Sequence, residues 1–181
     1  VGRLFGLQSD CMEAISKLEK AASKSEYSWI EAKNVLSYIY LYHEKDYMSA
    51  YSVSSDIAKR FPRHPFFAFL FAESLIYLNR YEELSGLEES LVSFTVNGPD
   101  NQKIECTNKY IYLKSLSSYI SKDYDNSISL TSQVIDNYGM EFKWLLGFSY
   151  LLRGKSYEKN GDKNEAVTNY IEAVKYLDRW P

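Results

Sequence analysis

Histidine is the first residue type to consider for catalysis or metal binding, and the chain has only two. His43-Glu44 begins like the paired-histidine motif of zinc proteases, but no second histidine follows on the same helical face. The other histidine, His64, lies beyond a predicted helix break, and a zinc site needs three or four converging ligands. We therefore interpret His43 as part of a polar helix end and predict no metal site.

Carboxylates offer the next possible chemistry. Asp123 and Asp125 alternate as in a calcium loop, but the glycine and the terminal glutamate of such a loop are missing, so we interpret this segment as a turn with a capping aspartate. The adjacent glutamates at 82–83 and 88–89 are typical of a solvated helix face rather than of general acid-base catalysis.

Nucleophiles and phosphate loops are equally poorly represented. Gly147 and Gly154 fall inside a helical pattern with no following Gly-Lys-Ser/Thr, and no serine or cysteine lies in a nucleophile-elbow sequence. Cys11 and Cys106 match no paired spacing, so we expect two unlinked thiols. The sequence predicts no catalytic residue and no cofactor, and therefore a protein that is not an enzyme.

Composition limits the partners. The 181 residues are 45% apolar and carry a net charge of -3, with 21 basic residues scattered along the chain, so nucleic acid is not expected as a partner. No apolar run approaches the roughly 18 residues of a membrane span. The compartment stays open: cytoplasm, or periplasm if a signal peptide precedes Val1.

The apolar residues recur at steps of three and four, which predicts an all-helical chain. Breaks are expected at 23–26, 62–65, 97–99, 139 and 160–162. Ser28, Asn79 and Asp162 each precede a glutamate by three residues, the pattern of a capping box, and Pro65 suits a first helical turn.

The clearest repeat lies near the C-terminus. One predicted helix carries a small residue and an aromatic residue, a glycine follows at the turn, and the next helix has a small-aromatic-small pattern. In chain order these residues are Gly154, Tyr157, Gly161, Ala166, Tyr170 and Ala173. This segment resembles a tetratricopeptide repeat. Weaker copies place turn-proximal residues at 14, 50, 84, 127 and 166, near the period of about 34 residues of that family.

The resemblance implies an all-α superhelix of stacked helical hairpins, right-handed and with about nine helices. We expect one tetratricopeptide-like array over residues 1–181: residues 1–24 form the second helix of a truncated hairpin, and hairpins follow at 28–62, 64–96, 103–139 and 142–178. Ala166 should lie where two helices cross closely. The segment Ile15 to Leu84 also resembles bacterial repeat proteins that are often exported.

In such repeats the first helix of each hairpin lines a concave groove that binds a peptide or protein. The positions that this implies here are Ile39, Tyr42, Phe66, Phe69, Glu73, Tyr77, Lys109, Tyr112, Tyr119, Lys155 and Lys159. Aromatic residues favour binding hot spots, but the same residues could simply pack between helices. Members that bind chaperone tails carry lysine and asparagine where this chain has Val35, Ile39, Phe69 and Glu73. We therefore do not expect a chaperone tail as the ligand.

The last helix is apolar on two faces. Val167, Ile171 and Val174 fall on the side where a next repeat would stack, which predicts a homodimer or another partner there. Two functions remain open. The first is a non-catalytic scaffold that binds a protein or peptide in its concave groove, and the second is a structural segment of a larger multi-repeat protein that packs on its own further domains or self-associates.

Overall fold

The computed structural model describes the backbone of residues 2–97, 99–141 and 143–178, and the side chains of residues 12–97, 99–100, 102–141 and 143–178. Gly98, in one of the predicted helix breaks, and Phe142, at the start of the last predicted hairpin, lie outside these ranges.

The described residues fold into nine α-helices and no strand. The first four are α1 (Gly2–Lys24), α2 (Trp29–Tyr38), α3 (Tyr47–Arg60) and α4 (Pro65–Tyr77), and α2 continues into a π-helical turn, Ile39–His43. The others are α5 (Tyr81–Asn97), α6 (Asp100–Ile120), α7 (Tyr124–Asp136), α8 (Trp144–Asn160) and α9 (Lys163–Leu177). The prediction of an all-α, tetratricopeptide-like repeat fold with about nine helices is confirmed.

The chain forms two compact units, residues 1–79 with α1 to α4 and residues 80–181 with α5 to α9. In the first unit, α2 packs on α1 and α3, and α4 packs on α3. In the second, α5 packs on α6, α6 on α7, α7 on α8 and α8 on α9. The division falls inside the predicted hairpin 64–96, at a place where the sequence shows only an ordinary turn.

The turns that follow the first helices share one backbone feature. Lys45, Asn79, Lys122 and Gly161 all have positive φ angles, of 55°, 56°, 66° and 90°. They recur at intervals of 34, 43 and 39 residues, the same intervals that the apolar pattern indicates from residue 50 onward. A left-handed residue ends a helix because it turns the chain away while its neighbours satisfy the last carbonyls. The repeat is therefore visible in the backbone as well as in the sequence.

An aspartate follows three of these four residues and caps the next helix. Such a cap satisfies a backbone N–H that the helix itself leaves unpaired. The Oδ1 atom of each aspartate accepts a hydrogen bond from the backbone N–H three residues later. The distances are 3.1 Å for Asp46 and Ser49, 3.2 Å for Asp123 and Asn126, and 3.1 Å for Asp162 and Glu165. The predicted caps at Asp123 and Asp162 are confirmed, as is Pro65 in the first turn of α4.

Two other predicted caps are wrong or incomplete. Ser28 is the N-cap residue of α2, but its side chain makes no capping hydrogen bond. Asn79 does not cap α5, because it adopts the left-handed conformation that ends the preceding turn, and α5 begins only at Tyr81.

Candidate interaction surfaces

Two predicted groove residues of the first unit lie in its core. Phe69 is only 1% exposed and Glu73 has no exposed surface. The expectation that they line an open groove is wrong, because α4 is mostly apolar and all of residues 68–76 are buried. A helix without a polar side is buried on every side.

The groove prediction is also wrong for Tyr112 and Lys109 of the second unit, because each is only 4% exposed. Lys109 forms an ion pair with Glu105, and its Nζ lies 5.8 Å from the ring centroid of Trp144 on α8. The lysine therefore faces the neighbouring helix instead of solvent.

The other predicted positions of the second unit keep some accessibility. Tyr119 is half-buried, and its ring centroid lies 5.7 Å from that of Tyr124. Lys155 and Lys159 are exposed on α8. A role for these three residues in binding stays a prediction.

Glu73 is the most unusual ionisable group of the first unit. Tyr42 donates a hydrogen bond of 2.6 Å to its Oε2, while Oε1 is buried with no hydrogen-bond partner. Burial raises the pKa of Glu73 to about 7, against the lowering effect of the Tyr42 hydrogen bond. Since the carboxyl group has no exposed surface, it acts on stability and cannot contact a ligand from solution.

An aromatic cluster connects the two first helices of this unit. The ring of Tyr38 on α2 lies 5.7 Å from Tyr42 and 6.0 Å from Phe66 on α4, measured between centroids. All three residues are half-buried, and Val35, one turn before Tyr38, is 43% exposed. We call Val35, Tyr38, Tyr42 and Phe66 the aromatic surface. Ile39, also half-buried, lies in the π-helical turn between Tyr38 and Tyr42.

Tyr77, also predicted for the groove, has a different neighbour. Its ring stacks on Tyr47 of α3 with centroids 4.3 Å apart and an interplanar angle of 4°. The contact joins the end of α4 to the start of α3, so one face of the Tyr77 ring is used in packing between these two helices.

A cleft that the sequence analysis did not identify opens between α1 and α3, over α2. Its volume is about 430 Å³, and it is lined by Glu19, Ala22, Ser23, Lys33, Leu36, Tyr40, Ser49, Ser52 and Val53. Tyr40 donates a 2.7 Å hydrogen bond to Glu19, and burial raises the pKa of Tyr40. The cleft could have been predicted from the small residues on the facing helices, Ala22, Ser23 and Ser52, because they leave space that larger side chains would fill.

The histidine and cysteine side chains of the described residues lie in unrelated places. In the described ranges no group of three or more histidine, cysteine, aspartate or glutamate side chains could hold a metal ion. His64 stacks on Phe67 with centroids 4.3 Å apart, and His43 is exposed at the end of the π-helical turn. Cys106 is a buried free thiol whose pKa is raised by burial, and the side chain of Cys11 lies outside the described residues.

The exposed apolar residues on α9 lie as the sequence pattern indicates. Val167, Ile171 and Val174 are 55%, 56% and 60% exposed, and we call them the C-terminal stripe. Their role in self-association stays a prediction. None of the helices in the described part of the chain combines the length and apolar composition needed to cross a bilayer.

A comparison with protein families gives a match over part of the chain. Residues 12–85, from α1 into α5, match the family model described as anaphase-promoting complex, cyclosome, subunit 3, whose repeats are of the tetratricopeptide type. Searches of curated proteins and of solved structures found no significant match. The helical architecture, the periodic turns and this match over residues 12–85 together support a tetratricopeptide-like repeat fold.

Proposed function

We propose that the chain is a non-catalytic scaffold that binds a partner protein, and that the aromatic surface of the first unit is the contact site. The observation that carries the proposal is the exposed apolar area of Val35 next to the half-buried rings of Tyr38, Tyr42 and Phe66. Tyrosine and phenylalanine supply large, rigid contact area at low entropic cost, which is why they are enriched in binding hot spots.

The repeat family supports the general class of function. Tetratricopeptide-type repeats generally mediate protein interactions, and the matched segment 12–85 contains all four residues of the aromatic surface. The surface differs from the groove expected from the sequence, since Phe69 and Glu73 of α4 are buried. Its centre is aromatic and carries no lysine, so it suits an apolar segment of a partner.

The alternative is a structural segment that packs only on further domains of a larger protein. That function predicts exposed apolar residues confined to the two ends of the array. Large exposed apolar residues are not confined to the ends, because they also occur in the middle of the chain at Val35, Met48, Val92, Val96 and Ile104. This distribution favours the binding scaffold.

The experiment uses a library of random peptides displayed on phage, selected on the full chain. Selected peptides are then measured for affinity by fluorescence anisotropy against the wild type and Val35→Glu. We expect the selected peptides to share an apolar core and to bind Val35→Glu about tenfold or more weakly, which corresponds to about 1.4 kcal/mol.

Two variants serve as controls. Val92→Glu introduces the same charge at an exposed valine of α5, and Ser52→Trp fills the cleft between α1 and α3. Both should bind the peptides like the wild type. The proposal is wrong if no peptide exceeds background, if Val35→Glu binds normally, or if Ser52→Trp is the variant that loses binding.

A further inference from the structure

Three second helices can be compared position by position because each follows a capping aspartate. Counting from Asp46, Asp123 and Asp162, Val167 of α9 corresponds to Tyr51 of α3 and to Ile128 of α7. By the same count, Ile171 corresponds to Ser55 and Ser132, and Val174 corresponds to Ala58 and Ile135. The C-terminal stripe therefore has an equivalent on two other helices of the same chain.

On α3 and α7 the helix that follows contacts equivalent positions, and all of these positions are buried or half-buried. The ring of Tyr51 lies 5.7 Å from that of Phe71 on α4, and Ser55 and Ala58 are buried. On α7, Ser132 Oγ accepts a 3.0 Å hydrogen bond from Nη1 of Arg153 on α8. Where Ser132 meets an arginine, α9 has Ile171, so its stripe suits an apolar helix rather than one with a cation at that point.

We propose that the C-terminal stripe is a self-association surface, on which α9 of a second copy packs antiparallel in the place that α8 takes on α7. Consecutive helices such as α7 and α8 run antiparallel, so the second copy would reproduce an orientation already used within the chain. Two-fold symmetry is the commonest arrangement of homodimers and makes each copy contribute the same surface.

Charge complementarity supports a second copy as the occupant. An antiparallel pair centred between Tyr170 and Ile171 places Val167 opposite Val174 of the second copy. The same symmetry places Lys163 opposite Asp178 of the second copy, and both residues are exposed in line with the stripe, at its two ends. Ile171 thus lies next to the two-fold axis, a pair of valines lies on each side of it, and an opposite-charge pair closes each end.

The size of the stripe sets the strength of the association. Three aliphatic side chains from each copy bury far less than the roughly 800 Å² per partner of a stable complex. We therefore expect a weak dimer that forms as concentration rises, with a dissociation constant below about 1 mM.

Sedimentation velocity over a concentration series tests the surface. The wild type should shift from monomer to dimer, and the double variant Val167→Glu/Val174→Glu should stay monomeric because glutamates would face each other. The basic variant Val167→Lys/Val174→Lys should also be monomeric alone, but an equimolar mixture of the two should form a one-to-one dimer. Thr168→Glu, exposed on α9 outside the stripe, is the matched control and should associate like the wild type.

Charge reversal tests the antiparallel pairing. Lys163→Asp and Asp178→Lys should each weaken the dimer about threefold or more, and the combined variant should recover wild-type association. A wild type that stays monomeric up to about 1 mM would overturn the proposal and leave the stripe to a different partner. Association that survives Val167→Glu/Val174→Glu, or an acidic-basic mixture that remains monomeric, would overturn it as well. Circular dichroism confirms that each variant stays helical.

Discussion

A Cβ atom placed on Gly154 would lie 2.8 Å from both Cδ1 and Cε1 of the Tyr170 ring. It would also lie 3.2 Å from Cβ of Asn169, so α8 and α9 meet where only a hydrogen atom fits. Tyr170 is held in this position, because its hydroxyl donates a 2.6 Å hydrogen bond to Oε2 of Glu158 on α8. This close approach between α8 and α9 thus depends on one glycine and one anchored ring.

Gly154→Ala should destabilise the protein. The added methyl group must displace an anchored ring, which typically costs about 1–3 kcal/mol and exceeds the helix propensity gain of about 1 kcal/mol. The measurement is the free energy of unfolding in urea. Gly86→Ala is the control, since nothing lies within 4 Å of its added Cβ in α5, and it should stabilise the chain by about 0.5–1 kcal/mol. Equal stabilisation by both substitutions would show that the Gly154 contact is loose.

The free energy of unfolding should also depend on side-chain size at positions 166 and 170 of α9. Ala166 is buried, so Ala166→Leu should cost about 1–3 kcal/mol through overpacking. Tyr170→Ala should cost about 3–5 kcal/mol by leaving a cavity. Tyr170→Phe, which loses only the hydrogen bond to Glu158, should cost about 0.5–1.5 kcal/mol. Unchanged urea midpoints for Ala166→Leu and Tyr170→Ala would contradict this packing.

The features that the sequence predicted well are those decided by local chemistry. A capping aspartate, such as Asp162, satisfies a backbone N–H three residues away, and the small residue Ala166 is buried in α9. The exposed stripe on α9 follows from helical periodicity alone.

The predictions that failed depended on neighbouring helices. Phe69 and Tyr112 have the residue types of a binding groove, but whether such a ring is open depends on what packs against it. The sequence pattern of a first helix does not distinguish the face turned to solvent from the face covered by the next helix. The π-helical turn at Ile39–His43, which carries Tyr42 toward Glu73, likewise has no signal in the apolar spacing.

The repeated left-handed turn predicts opposite effects at equivalent positions. Lys122 holds a φ of 66°, which glycine adopts more easily, so Lys122→Gly should stabilise the chain by up to about 1 kcal/mol. Gly161→Ala should destabilise it by about 1–2 kcal/mol, because alanine is strained at a φ of 90°. Thermal unfolding measures both, and Lys114→Gly within α6 is the control for glycine substitution, with an expected loss of about 1 kcal/mol. Stabilisation by Gly161→Ala would contradict the turn geometry.

Glu73 makes the stability of the protein depend on pH. Its pKa is about 7 in the folded chain against the usual 4.5, so the folded state binds more protons between these pH values. The free energy of unfolding should therefore fall as pH rises from about 4.5 to 7, by roughly 3 kcal/mol, and this contribution stays lost above pH 7. Glu73→Gln keeps an oxygen to accept from Tyr42 but removes the titration.

We expect Glu73→Gln to match the wild type in urea unfolding at about pH 4.5 and to be more stable by roughly 3 kcal/mol at about pH 8. Glu89→Gln makes the same change of charge at an exposed position of α5 and should leave the difference between the two pH values unaltered. If the change in the free energy of unfolding between the two pH values disappears only in Glu73→Gln, that change comes from the carboxyl group of Glu73. If Glu73→Gln were destabilising at both pH values, the carboxylate would be stabilised by partners other than Tyr42, and burial would not control its pKa.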